Sequence, residues 1–248
     1  MDALPKWARG LKEKVVCMLE EEIWKAVKDA LLPHVEIIGE NVERKKGIEE
    51  IFYPYLNAKL CKVLNSYEVC RIGAGRISDA SRLKYDVVVE LRGQDEIKKL
   101  ILLELKFAKG INSLLFGYQS GGSKDFGQDK GKELANFVME KQFFGIKEHC
   151  KSGVSKKSVV NNGLLVDIAK IVYAMSRESN ISCGMAIGVL TDSNCGEEGL
   201  KRVLKSVCEG FPEFLVKVGL FKPQLDFRTC NLNDNLKLID VFVKESSD

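Results

Sequence analysis

Apolar positions recur at helical spacing through Leu11, Val15, Met18, Leu19, Ile23, Ala26, Val27, Ala30 and Leu31, and the pattern stops before Pro33. This repeat predicts one long helix over residues 4–31. A polar junction, Glu40 to Gly47 with Arg44-Lys45-Lys46, leads to a second helix over 48–64, in which Pro54 is a local weakness. The period then changes. Residues 67–73, 85–91 and 100–107 read as strands, with Gly73-Ala74-Gly75-Arg76 as a loop after the first. A glycine-rich stretch (Gly117, Gly121, Gly122, Gly127), predicted to be mobile, enters a helix near 128–144, and an exposed loop follows over 151–158. Beyond it the pattern predicts a helix over 163–177, a buried strand over 183–190 and a helix over 197–208. A terminal hairpin of 224–230 and 236–244 closes the chain, around Asn231–Asn235.

Three consecutive strands on short connections are antiparallel, and the later helix–strand unit returns the chain to the sheet. The predicted class is therefore α/β, a mixed sheet flanked by helices. The chain divides into an N-terminal helical extension (1–44), a core (45–192) and a C-terminal helix and hairpin packed on it (193–248).

Two of the strands break their own pattern. Tyr85-Asp86-Val87-Val88-Val89-Glu90 and Leu102-Leu103-Glu104-Leu105-Lys106 place charges where a buried strand carries apolar side chains. An ionised carboxylate there is costly unless it is paired or binds a metal. Side chains two apart on a strand share a face, so Glu104 and Lys106 lie together while Ile101, Leu103, Leu105 and Phe107 face a helix layer. A symmetric hairpin centred on Asp95 sets Val88 opposite Leu102 and Asp86 opposite Glu104, about 5.5 Å apart across the ladder. Two carboxylates so close call for a shared cation, and oxygen donors in a half-open site suit Mg²⁺, with Mn²⁺ as a substitute. Lys106 on the same face could orient the attacking water or neutralise charge on a phosphate.

Composition adds little and charge adds one point. Apolar residues make up 45% and charged residues 29%, ordinary for a globular protein. The net charge of +3 is small, but residues 106–157 hold ten lysines against five acids. Lys109, Lys124, Lys130 and Lys132 in this basic region are candidate phosphate contacts, with a solvated lysine surface as the competing reading. Eight cysteines, none in a Cys-x-x-Cys pair, and only two histidines argue against a clustered zinc site or a histidine-based triad. Cys17, Cys61 and Cys208 sit in apolar contexts and read as reduced core thiols. Trp7, Trp24 and Phe52-Tyr53-Tyr55 read as core rather than base-stacking platforms, and Glu68 and Arg71 as a surface pair. No apolar run spans a bilayer and no signal-peptide pattern opens the chain, so the expected location is intracellular and cytoplasmic.

With Asp86 on the second strand and Glu104-Leu105-Lys106 on the third, after a helix and a strand, the chain resembles the PD-(D/E)xK nuclease superfamily over about residues 45–192. Gly73-Ala74-Gly75-Arg76 is similar to the Gly-Arg segment before the acid in some of its domains. Tyr85 stands where many members have Pro, and the downstream Gln-x-x-x-Tyr of exonuclease-like members is not present. The resemblance implies a restriction-endonuclease-like core and a metal-dependent nuclease acting on DNA rather than RNA. Asp86 and Glu104 would hold Mg²⁺ with the carbonyl of Leu105, Lys106 would assist the water, and Glu49 or Glu50 would be the helix acid. First-turn acids favoured by the helix dipole are the ordinary alternative for Glu49 and Glu50. The terminal additions would serve substrate choice or homodimerisation. Two rival readings remain: a nuclease-fold domain that binds nucleic acid or a protein partner without cutting, and a structural domain with an internal Glu104–Lys106 ion pair.

Overall fold

The computed structural model describes residues 6–43, 48–66, 69–75, 85–92, 98–116, 163–191, 196–217 and 219–246. The amphipathic N-terminal repeat forms α1 (Lys6–Leu31), whose buried Leu19, Ile23, Ala26, Val27, Ala30 and Leu31 follow the predicted stripe. Pro33 ends it in a 3₁₀ turn, Leu32–His34. The chain then re-enters a helix, α2 (Val35–Glu43), anchored by buried Ile38, where the sequence reads as approaching a polar junction. α3 (Ile48–Val63) runs through Pro54, which is exposed, so water can satisfy the carbonyl that the missing N–H leaves free.

Three antiparallel strands follow: β1 (Val69–Gly75), β2 (Tyr85–Arg92) and β3 (Lys98–Ala108). A short helix, α4 (Ile111–Phe116), comes directly after β3 and is not signalled by the period. Then α5 (Leu164–Met175) leads into β4 (Ile181–Leu190), which runs parallel to β3. α6 (Glu197–Lys217) continues beyond the predicted end at Cys208 because buried Phe211, Phe214 and Leu215 outweigh Gly210 and Pro212. β5 (Pro223–Asn233) and β6 (Leu236–Glu245) form the terminal hairpin, and β6 pairs with β4. The result is one six-stranded mixed sheet in the order β1-β2-β3-β4-β6-β5. The hairpin is thus continuous with the sheet that carries β2 and β3.

Helices cover both faces, so the alternation along each strand divides the apolar side chains into two layers. Ile101, Leu103 and Leu105 of β3 pack towards α1 and α3 with Phe52, Leu56 and Leu60, and partly buried Phe107 joins them. Leu102 and Ala108 face α4, α5 and α6. Cys183 is buried and Cys208 half-buried, whereas Cys61 is exposed on α3, contrary to the core-thiol reading. Tyr55 is likewise 50% exposed, its ring 4.3 Å from that of His34, while Phe52 and Trp24 are core. No helix among the described residues is long and apolar enough to cross a membrane.

Candidate active site

β2 and β3 pair in the register that the spacing predicts, with Val88 opposite Leu102 and Val87 opposite Leu103. The expected pairing of Asp86 with Glu104 is not part of this ladder, whose last pair is Val87 with Leu103; beyond it a side chain takes the place of backbone. The carboxylate of Asp86 accepts the N–H of Leu105 through Oδ2 at 2.7 Å. This bond ties Asp86 to the Glu104-Leu105-Lys106 segment. The N–H and C=O of one strand residue point to the same side, so the Leu105 carbonyl lies on the β2 side of β3 as well.

Glu104 and Lys106 project from β3 onto the α5 face. Their neighbours on β4 are small: Gly184 lies beside Leu102, Ala186 beside Glu104 and Gly188 beside Lys106. A Cβ on Gly184 would come within 2.3 Å of Ile171 on α5, and one on Gly188 within 2.8 Å of Leu114 on α4. These two glycines let both helices settle close to the sheet. Tyr85 fixes α5 from the β2 side, its hydroxyl donating to the Lys170 carbonyl at 3.2 Å.

That close approach brings two residues to the site that the strand pattern does not contain. Lys170 Nζ lies 2.5 Å from Glu104 Oε1 and 5.0 Å from the centre of the Tyr85 ring. Asp167, one turn earlier on the same helix face, has Oδ2 4.0 Å from Lys106 Nζ. The site therefore contains Asp86, Glu104, Lys106, Asp167 and Lys170. A signal for the last two exists in the sequence. In Leu164-Leu165-Val166-Asp167-Ile168-Ala169-Lys170-Ile171-Val172 they are charges within a helix that is buried all round, the same anomaly that marks β2 and β3.

Burial sets the electrostatics. Glu104, Asp167 and Lys170 have side chains 4%, 8% and 10% exposed, and Lys106 is 20% exposed, so solvent reaches the cluster from the Lys106 side. Burial raises the Glu104 carboxyl well above its ordinary range, repulsion from Asp86 adds to this, and Lys170 only partly offsets it. Burial also lifts Asp167 to about 6 against the pull of Lys106 and Lys170. Burial opposes the Lys170 ammonium, but Glu104 and Asp167 together outweigh it and its pKa is raised. Asp167 Oδ2 is buried and accepts no hydrogen bond.

Of the other sequence candidates, only Lys109 has a described side chain. α3 packs on the face opposite Glu104, and the side chains of Glu49 and Glu50 at its start lie outside the described ones. Lys109 is exposed just beyond β3, while Lys124, Lys130 and Lys132, the glycine-rich stretch and the helix near 128–144 lie outside the described residues. Glu68 and the side chain of Arg71 do too.

The donor set fits Mg²⁺ in one form only. Among the described residues no group of three or more His, Cys, Asp and Glu side chains could hold a metal ion. One oxygen of Asp86 is engaged by Leu105 and one of Glu104 by Lys170. Each carboxylate has a second oxygen to offer, and Mg²⁺ commonly takes one or two carboxylates and keeps several waters. The arrangement suits a water-rich, two-carboxylate site and not a closed cage.

No family model matches the chain, and neither a curated protein nor a solved structure matches it.

Proposed function

We propose that this protein is a metal-dependent nuclease of the PD-(D/E)xK type, built on a restriction-endonuclease-like core, that hydrolyses phosphodiester bonds in DNA. The reading is carried by the bond from Leu105 to Asp86, which joins the acid of one strand to the Glu-x-Lys segment of the next. Asp86, Glu104 and the Leu105 carbonyl would hold Mg²⁺, which supplies Lewis-acid polarisation and a water of lowered pKa. Lys106, more exposed than Glu104, Asp167 and Lys170, would meet the substrate side. Its ammonium would donate to a non-bridging phosphate oxygen and neutralise the charge that builds there. Asp167, 4.0 Å away, favours the charged form of that lysine. The apolar layer beneath, Leu102 with α5, limits water behind the reacting groups.

A second reading draws on one observation: Glu104 is already paired with Lys170. A domain of the same fold that binds nucleic acid or a protein partner, without cutting, would keep such a pair. The internal Glu104–Lys106 pair of the structural rival has less support, because Glu104 meets Lys170 and Lys106 faces Asp167.

The deciding experiment incubates purified protein with Mg²⁺ or Mn²⁺ and duplex, single-stranded and branched DNA, with RNA alongside. Cleavage that disappears in Lys106→Ala while the circular dichroism spectrum and DNA binding persist is the expected result. Absence of cleavage on every substrate, with binding retained, selects the second reading.

A further inference from the structure

The α5 lysine is placed differently from the Glu-x-Lys lysine. Lys170 is 10% exposed, in contact with Glu104 Oε1, and its ammonium stands 5.0 Å from the centre of the Tyr85 ring. Its backbone is held as well: the Tyr85 hydroxyl donates to its carbonyl, and the next residue, Ile171, fills the space above Gly184. An ammonium so confined cannot follow a substrate into solvent. It is a permanent positive charge on the inner side of the carboxylates.

Charge counting gives this placement a consequence. In their ionised forms Asp86, Glu104 and Asp167 carry three negative charges and Lys106 and Lys170 two positive ones. The net charge of −1 becomes +1 with one divalent cation, which matches the single negative charge of a phosphodiester. A second divalent cation would leave +3 in a pocket whose innermost groups are buried, an electrostatic cost that close like charges make large. Resting on the nuclease reading above, we propose that Lys170 takes the place of a second metal ion, so that the site binds a single divalent cation beside Asp86 and Glu104.

Counting Mn²⁺ by electron paramagnetic resonance, with calorimetry in parallel, tests this without reference to cleavage. Site-specific ions are those lost in Glu104→Gln. The wild-type chain and Lys170→Arg are expected to bind one equivalent. Lys170→Met, which removes the charge and keeps much of the length, is expected to bind a second equivalent at millimolar Mn²⁺. Two site-specific equivalents in the wild type overturn the proposal and leave the nuclease reading standing; so does a Lys170→Met protein that binds one ion with wild-type affinity. No site-specific ion in the wild type overturns the metal site itself. The wild-type count decides the matter even if Lys170→Met does not fold.

Discussion

Charge is buried on both faces of this sheet, and the two clusters are built differently. On the α1 face, Arg228 of β5 donates through Nε to Asp240 of β6 at 2.9 Å and through Nη1 to Glu21 at 2.7 Å. Its Nη2 donates to the Glu20 carbonyl at 3.1 Å, and the guanidinium lies 4.7 Å from the centre of the Trp24 ring. A planar fork with fixed donors is thus used in every direction, clasping α1 to the terminal hairpin. On the α5 face the cations are lysines, point charges on flexible stems, and three carboxylates converge on them. Unpaired oxygens do not distinguish the two, since Asp240 Oδ1 and Asp167 Oδ2 both accept no hydrogen bond. The ranking of forces does. After burial, the largest influence on Asp240 is attraction to Arg228, whereas on Glu104 it is repulsion from Asp86. By formal charge the α1-face cluster is the more negative, one cation against Asp240, Glu20 and Glu21, yet its fork reaches each of these residues directly, whereas the α5-face cluster is nearer neutrality and holds its charges through flexible lysines. The first is a fixed clasp; the second is the cluster that the nuclease reading proposes as a cation site.

Two substitutions should separate the clusters most sharply. Glu104→Gln keeps an oxygen for Lys170 but removes the carboxylate that would hold the metal, so cleavage should fall to background, while the retained amide contact keeps the cost in urea unfolding below about 3 kcal/mol, that of a fully broken buried pair. Arg228→Met should do the reverse. It strands Asp240 and frees α1 from the hairpin, at about 3 kcal/mol in urea unfolding, while leaving specific activity of the folded fraction intact. If Arg228→Met abolished activity at full stability, the division between clasp and site would be wrong.

How much of this could be read from the chain follows from the range of each interaction. The hairpin register was legible, because alternation and a short connection determine it, and Val88 does face Leu102. Asp86, Glu104 and Lys106 were visible as charges in β-prone runs. Asp167 and Lys170 stand out too, as charges in an otherwise apolar helix, but their place beside β3 was not legible, because it depends on α5 meeting Gly184 and no local pattern reports which helix meets which strand. The Arg228 clasp was hidden for the same reason, since Glu20 and Arg228 are joined only when the first helix meets the last hairpin. Cys61 and Tyr55 show the converse limit: an apolar neighbourhood in sequence does not tell which side of a helix faces water.

The Gly184 contact can be tested separately. Gly184→Val places branched carbons where Ile171 already stands, and overpacking of this kind costs about 1–3 kcal/mol. Because α5 carries Asp167 and Lys170, the displacement should also reduce metal affinity. Ile171→Ala in the same background removes the γ-carbon that a Cβ at 184 would meet and should restore some of both. A Gly184→Val protein with lowered stability and unchanged Mn²⁺ affinity would show that α5 does not set the site.

The smallest expected effect is a slope. Burial lifts Asp240 from an ordinary 3.8 to about 7, against the opposing pull of Arg228. A carboxyl whose pKa is raised in the folded state holds its proton there after the unfolded chain has released it. Its contribution to stability is therefore greatest below about pH 4, declines as pH rises towards 7, and is constant above that. The decline approaches about 1.4 kcal/mol per pH unit for one proton. Asp240→Asn still accepts from Arg228 but cannot titrate. The difference in unfolding free energy between wild type and Asp240→Asn should fall steadily from pH 4 to 7 and then level. Urea titrations at half-unit intervals read it directly. A flat difference across that range would mean that Arg228 compensates the burial of Asp240 completely, and the α1-face cluster would then be a fully neutralised clasp at every pH.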